Sequence, residues 1–283
     1  METMSNAEYR KKEGISSSDI KKMMKSMAHY KYYKEHPTEN DSEALLFGRA
    51  YHKLMLEPED FDKEFIVFPK IDRRSKEGKE AYAGYMKKAE GKEILSSEDF
   101  EKLKEMQKAL YETPFVKLLI KGEHEKSFFW KDKKTGLPCK CRPDSFGQTK
   151  GQYVCVDLKT TTNAETDHFM RDALKLGYDI QAYHYVDGLE SIYKQPFKFI
   201  FIAQEKTAPY LVNILEADEY FMTSGKELRN KLLGDYKKCL ETDKWEGYMS
   251  EASGINSLSV PKWLAESLDI EGEGEDEAEG DFE

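Results

Sequence analysis

The stretch CRPDSFGQTKGQYVCVDLKTTT, Cys141 to Thr162, sets Asp144 directly after Pro143 and ends an apolar run (Tyr153, Val154, Cys155, Val156) in Asp157, Leu158 and Lys159. It reads as a turn followed by a strand. A buried strand end rarely carries two charges unless they hold something. If the segment ending at Asp144 and the strand carrying Asp157 are neighbours, both carboxylates meet at one end of a sheet. Lys159, two residues after Asp157, projects from the same face. The carbonyl of Leu158 lies between them and can serve as a further oxygen ligand. Hard divalent cations take oxygen ligands, and two acids with a lysine at one point suit phosphodiester cleavage. A single Asp-x-Lys is far more often a surface salt bridge, so the spacing does not carry this reading alone.

Outward from this stretch, the sequence divides into a helical part and a sheet. ISSSDIKKMMKSMAHYKYYKE, from Ile15, opens on a serine run that suits a helix N-cap and continues at helical spacing. SEALLFGRAYHKLMLEP predicts a second helix, stopped by Pro58. EFIVFP is a short strand, and two further helices follow, the second capped by Ser96 or Ser97. EKSFFWKDKKTGLPCKCRPDSF predicts two strands around a turn at Lys134, Thr135 and Gly136. After the strand YVCVDLKTT comes a helical stretch in two pieces joined near Gly177, then the strands FKFIFIAQE and YLVNILEA and a last long helix. This order predicts an α/β fold with a helical N-terminal part. The expected organisation is a flexible segment 1–14, one domain over 15–265 and an acidic disordered tail over 266–283.

The composition excludes several classes. The formal charge is −10, but Glu271–Glu283 holds eight acids and no base, and without them it is −2. The rest of the chain is near neutral, with room for a basic cleft. No apolar stretch is long enough to span a bilayer, and the N-terminus lacks the apolar core of a signal peptide. The expectation is a cytoplasmic protein with no membrane partner. Four cysteines, Cys139, Cys141, Cys155 and Cys239, are too few for a disulfide framework in 283 residues. Their spacing fits neither zinc nor an iron–sulfur cluster.

RPDSF followed by VDLKTT resembles the signature of the PD-(D/E)XK nucleases, and QAYHY (Gln181 to Tyr185) resembles the Q-x-x-x-Y motif of their RecB-like branch. FGRAYHKLMLEP resembles the helix that supplies a metal-binding histidine there. In matching order from about Ile15 to about Tyr236, the chain is most similar to the RecE-type exonucleases (exonuclease VIII) of phage and prophage recombination. The resemblance implies a PD-(D/E)XK nuclease core, a mixed central sheet flanked by helices. It implies that His52, Asp144, Asp157 and the Leu158 carbonyl hold Mg²⁺, with Mn²⁺ as a substitute. Lys159, Asp157, Asp144, Gln181, Tyr185 and Glu125 would form the catalytic group, although Glu123 stands close enough to be confused with Glu125. Gly48, one turn before His52, leaves room for a metal or a DNA strand.

The implied activity is digestion of linear double-stranded DNA from its ends, 5′ to 3′, leaving 3′ single-stranded tails for recombination by annealing. The implied partners are DNA ends, a RecT-like single-strand annealing protein and further copies of the chain in a ring, a trimer or tetramer. Rival readings are a Cas4-like or helicase-associated nuclease, which the cysteine spacing disfavours, and a catalytically silent DNA-binding module. The basic run Arg73, Arg74, Lys76 and Lys79 is a candidate contact for DNA phosphates, or simply a solvated helix start. Ser17, Thr160, Thr161 and Tyr178 complete the candidate DNA-binding set. The serine run has the simpler use of capping a helix.

Overall fold

The structure is a computed structural model that describes residues 4–37, 42–69, 71–72, 74–248, 255–256 and 258–267. Serines start the first four helices: Ser5 caps α1 (Asn6–Lys11), Ser16 α2 (Ser17–Met23), Ser26 α3 (Met27–Glu35) and Ser42 α4 (Glu43–Leu56). Each side chain accepts a backbone N–H that a first helical turn otherwise leaves unpaired. The one helix expected from Ile15 is therefore two, because Ser26 restarts it by taking the N–H of His29 at 3.1 Å. Segment 1–14, expected to be flexible, contains α1. Its end is tied down by Lys140, a buried ammonium that needs oxygen partners and takes the carbonyls of Tyr9, Arg10 and Lys12.

Pro58 opens a 3₁₀ turn (Pro58–Asp60) after α4, followed by α5 (Phe61–Glu64), β1 (Phe65–Phe68) and α6 (Lys76–Lys88). The sequence reading missed β2 (Glu93–Ser96), which pairs in parallel with β1. Four residues are too few for a period to stand out. Ser96 caps α7 (Ser97–Glu112), and α8 (Val116–Leu119) follows.

The strand region opens with β3 (Glu123–His124) and the antiparallel hairpin of β4 (Phe128–Lys131) and β5 (Pro138–Cys141). Its turn falls where expected, with Gly136 at φ +73°. Next come β6 (Ser145–Thr149), β7 (Gln152–Thr161), α9 (Thr166–Lys175), α10 (Tyr178–Tyr193), β8 (Phe197–Glu205), β9 (Val212–Glu216) and α11 (Glu219–Thr242). The main sheet runs β3-β6-β7-β8-β9, and only β7 and β8 are parallel. A parallel pair needs a long crossover; α9 and α10 supply it, broken at Gly177 with φ +67°. The expected α/β architecture, a mixed sheet flanked by helices with a helical N-terminal part, is the one observed.

Alternation along β7 decides what faces what. Val154, Val156 and Leu158 pack with residues of α4, α7 and α8, whereas Cys155 packs with Phe146, Phe199 and the α10 side chains Ala182 and Leu189. The period of two therefore turns Asp157 and Lys159 toward α10. Beneath, Arg229 of α11 is fully buried and paired with Asp132 and Asp187.

The chain divides into two units, Met1–Trp245 and Glu246–Glu283. The first unit thus ends before the domain boundary expected at 265. The second carries α12 (Lys262–Ser267). Residues 266 and 267 of the expected tail close α12; the rest of the tail lies outside the described residues. Among the described residues no helix is long and apolar enough to cross a membrane.

Candidate active site

The β6–β7 ladder runs from Thr149 opposite Gln152 to Ser145 opposite Val156, so the next pair outward is Asp144 and Asp157. Both are buried. The N–H of Leu158 donates to Oδ2 of Asp144 at 2.6 Å, and Nδ1 of His52 lies 3.3 Å from its Oδ1. His52 comes from α4, where a Cβ built on Gly48 would meet nothing within 4 Å. Glu125 sits between β3 and β4 in the left-handed region, φ +51°, and its N–H donates to the carbonyl of Asp144 at 3.3 Å. A non-glycine residue in that region is strained, and such strain is typical of functional sites. One ligand atom from each of His52, Glu125 and Asp144 lies within 4.8 Å of the others. Of the two candidate acids, Glu125 lines the cleft; Glu123 is exposed, on β3.

The electrostatics follow from burial and crowding. Burial, then the charge of Asp144, lifts the Glu125 carboxyl to about 7, against the pull of His52 and Arg142. Burial also pushes Asp144 up, but His52, Lys159 and the Leu158 N–H outweigh it and its pKa falls. Burial pulls His52 down; Asp144 outweighs this and raises it. A buried carboxylate, a half-buried one and an imidazole held this close would be relieved by a divalent cation, which would supply positive charge between them. The mixed oxygen and imidazole donor set fits such an ion.

Asp157 stands apart from that trio. Its Oδ2 pairs with the ammonium of Lys159, and Nε2 of Gln181, on α10, donates to its Oδ1. Burial, reinforced by Asp144 and opposed by Lys159, raises its pKa. Burial pulls Lys159 down, but Asp157 and Asp144 outweigh it and keep its pKa above the usual lysine value. Asp157, Lys159 and Gln181 are thus adjacent, with Gln181 bonded to the carboxylate of Asp157. Tyr185 lies one turn on from Gln181 and packs edge-on against Phe199.

Beside these residues lies a cleft of about 880 Å³, which Asp144, Asp157, Gln181 and Tyr185 do not themselves line. Leu158, Lys159, Thr160 and Tyr178 line it, together with His52 and Glu125. Its rim holds cations the sequence reading passed over. Arg49 pairs with Glu93 (2.9 and 3.0 Å), Lys53 with Glu57 and Glu64 (2.6 and 2.7 Å), and Arg142 with Glu125 (2.7 Å). Each stands beside a residue already singled out, three before His52, next to it, and two before Asp144. Position beside a motif was the one available signal. Lys21 was also missed: from α2 it donates to Oε1 of Gln181 at 2.8 Å. Burial, then the charge of Lys159, pulls its pKa down to about 8.

The other expected DNA contacts fall elsewhere. Ser17 is buried in the first turn of α2, where Ser16 and Asp19 form a reciprocal capping box. Thr161 bonds through Oγ1 to the carbonyl of Asn163. Arg74 is exposed and paired with Asp72, and Lys76 and Lys79 lie exposed on α6; none of the three lines the cleft. Arg73 lies outside the described residues. All four cysteines are free and buried, and none belongs to the trio that could hold a metal.

Residues 16–256 match a family described as "PDDEXK-like domain of unknown function (DUF3799)". No curated protein matches the sequence. Among solved structures, the chain is similar to a protein from Eubacterium rectale described as a "Putative exonuclease". The two share 15% identity at a TM-score of 0.61, over 95% of this chain and 100% of that one. A second structure, that of SSO0001, reaches a TM-score of 0.29 at 12% identity, over 67% of this chain and 85% of that one.

Proposed function

The chain belongs to the family of PDDEXK-like domains of unknown function, and from that premise we propose that it is a divalent-metal-dependent deoxyribonuclease digesting linear double-stranded DNA from its ends. The observation that carries this reading is the adjacency, beside one cleft, of a trio able to hold a cation, His52, Glu125 and Asp144, and an Asp157–Lys159–Gln181 group. His52, Glu125 and Asp144 would hold the cation, with Asp157 and the Leu158 carbonyl as the further ligands that the motif implies. A bound Mg²⁺ or Mn²⁺ supplies polarisation of a phosphoryl oxygen and a more acidic water. Lys159, held against Asp157, orients the attacking water and offsets charge developing on the phosphate. Tyr178 and Thr160 receive the DNA backbone in the cleft. Phosphates entering there compete with Glu93, Glu57 and Glu64 for Arg49 and Lys53, which are already placed to bind them.

The finer features of the reading rest on the resemblance to RecE-type exonucleases. These are 5′ to 3′ polarity, 3′-tailed products used in phage-type recombination, a RecT-like annealing partner, a trimeric or tetrameric ring and a cytoplasmic setting. The test is incubation of linear and covalently closed plasmid with the protein, with and without Mg²⁺. Loss of the linear form alone, and only with metal, is the expected result. Nicking of circles would replace the reading with an endonuclease. Retarded migration without digestion would replace it with a DNA-binding module.

A further inference from the structure

Lys21 is joined to the active-site group at two points. Its ammonium donates to Oε1 of Gln181 at 2.8 Å, and it sits 4.8 Å from the centroid of the Tyr178 ring. Lys159 lies 4.9 Å from that same ring. The hydrogen-bond chemistry leaves one arrangement. An ammonium only donates, so Gln181 must turn its carbonyl oxygen toward Lys21. The amide –NH₂ then faces Asp157, an ionised acceptor, and donates to Oδ1, while Oδ2 is left to Lys159. Gln181 is buried, so its orientation is decided by these two partners. Lys21 itself does not line the cleft, whereas Lys159 and Tyr178 do.

We propose that Lys21 is a positioning residue that fixes the Gln181 amide, and through it Asp157 and Lys159, in the geometry the reaction uses. This rests on the nuclease reading of the same site. The cation from α2 and the amide from α10 close a line, Lys21–Gln181–Asp157–Lys159, of two hydrogen bonds and one ion pair. Tyr178 lies beside both ammonium groups, giving each an aromatic neighbour in place of water. Removing the Lys21 ammonium leaves the buried Gln181 oxygen without its donor, and the amide is then free to leave Asp157.

The test compares Lys21→Met, Lys21→Arg, Gln181→Met and the double variant with wild type on linear duplex DNA in Mg²⁺. Lys21→Met should lower kcat roughly 10- to 100-fold, the scale of a misplaced catalytic group, with KM little changed. Lys21→Arg, which keeps a cationic donor, should recover most of the rate. Lys21→Met should add little to Gln181→Met, because both break the same line. A metal-free readout is the Gln181 side-chain amide in ¹⁵N–¹H spectra, assigned by its loss in Gln181→Met. It should be sharp and protected from exchange in wild type and lose that protection in Lys21→Met. If Lys21→Met does not fold, Lys21→Ala takes its place in the cycle. An unchanged kcat, a loss confined to KM, additive losses in the double variant or an unaltered Gln181 amide would each overturn the proposal. A wild type that digests no DNA in Mg²⁺ or Mn²⁺ would overturn the nuclease reading instead, and the amide spectra would still decide whether Lys21 holds Gln181.

Discussion

Lys159 pairs with Asp157 and not with Asp144, although the two carboxylates are cross-strand neighbours at the same sheet end. Asp144 is taken instead by the N–H of Leu158 and the imidazole of His52. One acid thereby belongs to the trio that could hold a metal, and the other pairs with the lysine. This division sets what each substitution should do.

Lys159→Ala should lower the cleavage rate by roughly 10²–10³-fold, the usual loss when one group stabilising transition-state charge is removed. Cation binding should survive, because the lysine is not a ligand. Calorimetric titration with Mn²⁺ alongside a cleavage assay checks both. A wild-type rate would remove Lys159 from the chemistry. Asp144→Asn, by contrast, should lose cation binding and cleavage together.

Glu125 makes a signed pH prediction. Its folded pKa is raised from the ordinary 4.5 to about 7, first by burial and then by Asp144. Between those two values the folded protein holds more protons than the unfolded chain, so metal-free stability should fall as pH rises through that window. Divalent cations compete for the same carboxylate and should bind more tightly as pH rises through about 7. Thermal unfolding from pH 4 to 8 with chelator present should show the decline in wild type and a shallower one in Glu125→Gln. Identical profiles would show that Glu125 does not titrate in this range.

Arg229 is a stability prediction away from the cleft. It is 2% exposed, with Asp132 and Asp187 against its guanidinium and the imidazole of His184 at its Nε. Arg229→Met removes the cation and leaves the buried Asp132 and the half-buried Asp187 uncompensated, which should cost about 3–5 kcal/mol. Urea unfolding measures the loss. A change within experimental scatter would mean that the acids find other partners.

The basic run tests whether DNA extends beyond the cleft. Replacing both Arg73 and Arg74 with alanine should raise KM for linear DNA and flatten its salt dependence, since fewer counterions are released on binding. The existing pair between Arg74 and Asp72 must open for this to occur. Unchanged KM and salt slope would leave the run as a solvated helix start.

Assembly is testable without activity. A ring needs a heterologous interface that closes by rotation. Sedimentation equilibrium at micromolar concentration should therefore give a species larger than a dimer. A monomer that nevertheless digests DNA processively would exclude the ring.

What could be read from residues alone was whatever neighbours in sequence decide. The apolar run Tyr153–Val156 marked β7, Gly136 marked the hairpin turn, and Gly177 marked the break between α9 and α10. Asp157 and Lys159 share a face by the pleat itself, and Asp144 joins them because β6 and β7 are adjacent antiparallel strands. Gln181 could be named from its motif, but not the carboxylate it would hold. The crossover from β7 to β8 is what lays α10 against that face, and it decided Asp157. Only the tertiary structure brought Lys21 across 160 residues to Gln181, or set Arg142 beside Glu125 and Arg49 beside Glu93. Charged side chains carry no period, and their partners are chosen by packing. A lysine in a serine-capped helix looks like any solvated lysine until the fold removes the water around it.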